Sequence, residues 1–99
     1  MLKGMYWVWQ GKKFGNQIAD FIGMHRDLYH GAMEEGGCKV HMLKLYQLKA
    51  EGYSVELAAY DSCKFLIPGL RTIEDKFGSQ EQIEHARSCV MKLVASQCA

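Results

Sequence analysis

The chain lacks most of the patterns that announce a chemistry. Ser62 has no Gly-x-Ser-x-Gly elbow around it, and no Cys-x-x-Cys is present to resolve an oxidised sulfur. Gly11–Asn16 (GKKFGN) lacks the Gly-Lys-Ser/Thr ending of a phosphate loop. No segment approaches the length of a membrane span, and the apolar run Met5–Trp9 is too short for the core of a signal peptide. A net charge of +1 is far from the basic surplus of a nucleic-acid footprint, and it gives no reason to expect an acidic partner or an anionic membrane. A single proline, Pro68, and the absence of repeats, low-complexity tracts and linkers leave one domain over residues 1–99. Four cysteines (Cys38, Cys63, Cys89 and Cys98) are spaced too widely for a small disulfide framework, so reduced thiols in a cytoplasm are expected. Neither an enzyme nor a cofactor is expected.

What is present is apolar material. The chain is 48% hydrophobic and 11% aromatic, ample for a core. Met1–Gln10 is not helix-patterned. Met5, Trp7 and Trp9 share one side of an extended segment and Tyr6 and Val8 the other, so the segment reads as a lid across the domain or an arm for a second subunit. Gly11–Asn16 then reads as a turn. Asn16–Glu35 is the clearest helix: Ile18, Phe21, Ile22, His25, Leu28, Tyr29, Ala32 and Met33 form one stripe, Asn16 caps it, and Gly36-Gly37 ends it. Gly23 and Gly31 lie off that stripe and weaken the helix, leaving room for another chain to approach. Cys38–Glu51 is helical with two apolar sides: Leu43, Tyr46 and Ala50 on one, Cys38, His41, Met42, Leu45 and Leu48 on the other. Such a helix is central in a bundle or shared with a partner.

The stretch after Gly52 decides the fold class. Read as a helix, Ser54 is its cap and Val55, Ala59, Cys63 and Leu66 recur at helical spacing. Read as a strand, Val55–Tyr60 pairs with Met5–Trp9. The helix is preferred, since a lone strand needs partners. Pro68 should break or kink the chain, with Leu70, Ile73 and Phe77 on a further short helix that Gly78 stops. Ser79 and Gln82 form a capping box for Gln80–Gln97, with Ile83, Ala86, Val90, Leu93 and Val94 on one face. The expected fold is therefore an all-α bundle of four to five helices crossed by an extended aromatic N-terminal segment. The alternative is α/β, with a small sheet from 5–9 and 55–60.

Residues that could carry chemistry are few. Cys38-x-x-His41 and His85-x-x-x-Cys89 have helical ligand spacings and together would supply a tetrahedral zinc site. His85, however, points about 130° away from its helix's apolar stripe, toward water. His25 reads as a core histidine and His30 as exposed, and the paired glutamate–histidine spacing of di-iron bundles is missing. Cys63, beside Asp61, reads as an inert buried thiol; Cys98, near the chain's end, could form an intermolecular disulfide. The pairs Glu34–Glu35 and Glu74–Asp75 diverge by about 100° on a helix and read as solvated charges. Leu48–Ala59 resembles the first part of a helix-turn-helix. The next element in that motif is a polar, basic helix; here it is Lys64–Leu70, apolar and interrupted by proline, which argues against DNA binding.

The expected function is a small cytoplasmic interaction module, homodimeric, acting as a regulator, adaptor or inhibitor of a protein partner. The expected contact residues are Tyr6, Trp7, Trp9, Met42, Leu45 and Leu48, since aromatics and Met favour interfaces. The alternative is a metal- or small-ligand-binding domain, using Cys38, His41, His85 and Cys89 or a core site around His25, His41 and Met42.

Overall fold

Helical periodicity carries through nearly the whole chain. The computed structural model describes residues 2–38, 41–73 and 79–98. Among them are five helices: α1 (Leu2–Ile22), α2 (Arg26–Glu35), α3 (His41–Ala50), α4 (Val55–Thr72) and α5 (Gln80–Cys98). The all-α expectation holds, and the small sheet does not: residues 5–9 lie in α1 and residues 55–60 in α4. Helix α1 packs chiefly on α3 and α2 on α4, while α4 also meets α1 and α5. No described helix is long and apolar enough to cross a membrane.

The N-terminal segment is helical, not extended, and Gly11–Asn16 is helix interior, not a turn with Asn16 as cap. The reason is a packing stripe that includes glycine. Gly11, Phe14, Gly15, Ile18, Ala19 and Ile22 are all buried, at the three- and four-residue spacing of one helix face. A Cβ on Gly11 would run into the Met42 backbone. Gly11 is therefore the point where α1 and α3 nearly touch, and the burial gained there outweighs glycine's poor helix propensity, about 1 kcal/mol against Ala.

The single helix expected over Asn16–Glu35 is two. At Gly23, φ is +74°, a left-handed conformation that glycine adopts without a Cβ penalty. Gly23 N–H donates to the Asp20 carbonyl at 3.2 Å and Met24 N–H to the Ala19 carbonyl at 2.8 Å, the paired bonds of a Schellman closure. Met24 is buried, adding the apolar contact that accompanies this motif. Arg26, opening α2, reaches back to Asp20 with a two-pronged ion pair of 2.7 and 3.1 Å. The same closure ends α2 at Gly37 and α3 at Gly52, through Cys38 N–H to the Met33 carbonyl and Tyr53 N–H to the Leu48 carbonyl.

Helix α4 begins as expected, with Ser54 Oγ accepting from Leu57 N–H at 3.1 Å. Ala58, Ala59, Ser62, Cys63, Leu66, Gly69 and Leu70 form its inner face. The helix runs through Pro68 to Thr72 with no break. Pro68 is exposed while Gly69 and Leu70 are buried, so packing on the inner side holds the last turn although proline removes one ladder donor. The α2–α4 crossing is very close: a Cβ on Gly69 would overlap the Ala32 carbonyl, and one on Gly36 the Phe65 carbonyl. Phe77 and Gly78, the expected end of a further helix, and Glu74 and Asp75 lie outside the described residues. Helix α5 is capped by the expected box, Ser79 Oγ accepting from Gln82 N–H at 3.3 Å and Gln82 Oε1 from Ser79 N–H at 3.2 Å. It buries Ile83, Ala86, Val90 and Leu93.

Candidate functional site

Among the described residues, folding leaves one concentration of apolar side chains outside. Within the first half of α1, Met5 is 72% exposed, Tyr6 55%, Val8 41% and Trp9 58%. Trp7 points partly toward the bundle and is half-buried. The buried stripe of α1 starts at Gly11, and of residues 5–10 only Trp7 and Gln10 are partly covered. Among the described residues two contacts tie this end to α3: the Tyr6 and Tyr46 rings meet edge-on at 6.3 Å, and Lys49 Nζ donates to Gln10 Oε1 at 2.9 Å; within α1, Lys13 Nζ sits 5.2 Å over the Trp9 ring. No acidic residue occurs before Asp20, so the charged side chains that α1 itself sets beside this face, Lys12 and Lys13, are both cationic.

The expected contact residues divide. Tyr6 and Trp9 are exposed, and Trp7 and Met42 half-exposed. Leu45 and Leu48 are buried in the chain's own core and form no free surface. Helix α3 is not apolar toward two partners. It turns His41, Leu45 and Leu48 inward and leaves Leu43 and Tyr46 half-covered and Ala50 exposed. Met5 and Val8 join the surface instead, because the helical turn of α1 brings Val8 beside Met5 and Trp9.

A second cluster lies where α1, α2 and α3 meet. His30 Nε2 is 3.0 Å from Asn16 Oδ1, and His30 Nδ1 is 3.2 Å from His41 Nε2. His41 Nδ1 faces Glu34 Oε1 at 3.8 Å. If His30 donates to Asn16, its Nδ1 is an acceptor and His41 Nε2 donates the single shared proton. The two rings cannot both be protonated and keep this contact. Burial, the neighbouring His41 and Lys12 push His30 down to about 4. Burial likewise lowers His41, against the pull of Glu34. Both rings are therefore neutral near pH 7, lining a groove of about 280 Å³ with Lys12, Asp27 and Met42. The expectation that His30 faces out is wrong because α1, helical at Asn16, covers it. His25, expected in the core, is exposed, since it stands in the α1–α2 turn.

The proposed zinc set does not assemble. Among the described residues no three of His, Cys, Asp and Glu come within reach of one ion. Cys38 and His41 are buried, whereas His85 is exposed and Cys89 half-exposed. Only the second pair meets, with His85 Nε2 3.7 Å from Cys89 Sγ. Cys63 is buried as expected: its thiol donates to the Ala59 carbonyl at 3.2 Å, and burial, with Asp61, pushes it up to about 11. Burial also raises Cys38. The Cys98 side chain lies outside the described residues. No family model matches this chain, and neither curated proteins nor solved structures provide a match.

Proposed function

We propose that this chain is a small cytoplasmic protein-interaction module, homodimeric, that regulates, adapts or inhibits a protein partner through the first half of α1. One observation carries the reading: four large apolar side chains within five residues, Met5, Tyr6, Val8 and Trp9, stand exposed on a helix whose next turns are fixed in the core. Isolated exposed apolar residues are ordinary on any protein, but contiguous ones rimmed by charge mark contact surfaces. Tyr, Trp and Met are the types most enriched there. Lys12 and Lys13 flank the face and would orient an approaching partner more than hold it.

The test is self-association of the intact chain, read by analytical ultracentrifugation and native mass spectrometry across a dilution series. Tyr6→Ser with Trp9→Ser should shift the chain to monomer, and helical circular dichroism should be retained. Trp7 is left alone because it is half-buried, and its loss would mix folding with binding. Wild-type chain that stays monomeric at high concentration would refute the homodimer. The same double variant capturing the same partners as wild type would refute the α1 face.

A further inference from the structure

We infer that His41 Nδ1 and the Glu34 carboxylate are the two protein ligands of a site for a divalent cation of the zinc type, open to the groove beside α2 and α3. The site is separate from Met5, Tyr6, Val8 and Trp9 and does not rest on the reading of that face.

The protons of the histidine cluster do not cover its acceptors. His30 Nε2 lies 3.0 Å from Asn16 Oδ1, and His30 Nδ1 lies 3.2 Å from His41 Nε2. With His30 donating to the amide oxygen, its Nδ1 can only accept, so the one proton of a neutral His41 sits on Nε2. His41 Nδ1 is then a bare lone pair, and what it faces is an anion, Glu34 Oε1 at 3.8 Å. Two acceptors therefore confront each other on a ring only 3% exposed, and burial holds that ring neutral against the pull of Glu34. A buried acceptor without a donor is costly. A cation set between the two relieves it.

The gap suits such an ion. Zinc bonds imidazole nitrogen at about 2.0–2.1 Å and carboxylate oxygen at about 2.0–2.2 Å, so an ion held by both spans 3.8 Å at a wide, bent angle. Glu34 is 67% exposed and free to close further. The bonds behind His41 are those a metal-binding histidine needs: His30 accepts from its second nitrogen, and Asn16 holds His30, which fixes the tautomer and the ring direction. Access comes from the groove of about 280 Å³ that His41 and Glu34 both line, and water entering it fills the remaining positions. Lys12 opposes Asp27 and Glu34 in that groove, one cation against two anions, so a positive ion is favoured. Imidazole with carboxylate selects zinc over calcium or magnesium, which take oxygen ligands. Among the described residues no third His, Cys, Asp or Glu reaches the ion. The site is thus open and exchangeable, unlike the closed four-ligand sites that hold a fold together.

The experiment uses the intact chain, stripped with chelator and carrying ¹⁵N in its histidine rings, titrated with zinc sulfate near pH 7 and followed by NMR. Before zinc is added, His41 should be the neutral tautomer protonated on Nε2. Zinc at micromolar concentration should move His41 Nδ1 saturably to a metal-bound shift, and excess magnesium should leave it in place. Glu34→Gln, a change at an exposed side chain, should raise the half-saturating zinc concentration by about tenfold or more while circular dichroism stays unchanged. A His41 imidazolium near pH 7 would mean that a proton already fills the gap, and would overturn the inference. So would a His41 Nδ1 that does not move up to millimolar zinc, or an unchanged half-saturation in Glu34→Gln. Should that variant fail to fold, Glu34→Ala serves in its place, and the two wild-type readings stand without it.

Discussion

Acid should weaken this fold through His30, and through its partner His41 beside it, before most carboxylates titrate. His30 is packed between Asn16 and His41, beside the Tyr29 ring at 5.2 Å, with Lys12, Asp27 and Glu34 as the charged groups around it. Its ionisation falls from the ordinary 6.5 to about 4 on folding. The unfolded chain therefore takes up the proton first, and stability depends on pH in the sense that the folded state loses ground as protons are added. The contribution is complete above about pH 6.5 and is lost as pH falls toward about 4. Each pH unit of displacement corresponds to about 1.4 kcal/mol, a ceiling of roughly 3 kcal/mol. The ring is only half-buried, so solvent screening reduces this to about 1–2 kcal/mol. The assay is urea unfolding of wild type and His30→Gln at several values from about pH 7.5 to pH 4.5, with stability taken from the linear extrapolation. At the upper end the variant should be less stable by about 1–2 kcal/mol, for two lost hydrogen bonds. That gap should close as wild-type His30 becomes protonated. A gap constant across the range would refute the burial and shared-proton argument together.

Other outcomes follow from packing and capping. Gly69→Ala should destabilise by about 2–3 kcal/mol in urea unfolding, because the new methyl meets the Ala32 backbone; in an isolated helix the same change is favourable by about 1 kcal/mol. Ser54→Ala should remove about 1 kcal/mol by leaving Leu57 N–H without its cap, read in the same assay. Cys63, pushed up to about 11 and hydrogen-bonded to Ala59, should resist iodoacetamide until the chain unfolds, checked by mass spectrometry at increasing urea.

Local signals determined much of this protein. The Ser54 cap, the Ser79–Gln82 box, the Gly36-Gly37 ending and the α5 stripe are all legible, because each depends on residues within one or two turns. So was the exposure of Tyr6 and Trp9, in the sense that a small core had no room for every aromatic. Tertiary contact decided the rest. Residues 2–16 are helical because Gly11 and Gly15 sit where neighbouring elements approach within a side chain's width, and glycine read locally signals a turn. Helix α4 continues through Pro68 because Gly69 and Leu70 are anchored in the core. The break at Gly23 ran the other way: the stripe from Ile18 to Met33 continues in register across it, so periodicity could not reveal a Schellman turn. His25 and His30 exchanged places between surface and interior for the same reason. A side chain's direction follows from local geometry, but whether anything covers it depends on which helix the rest of the chain lays across it.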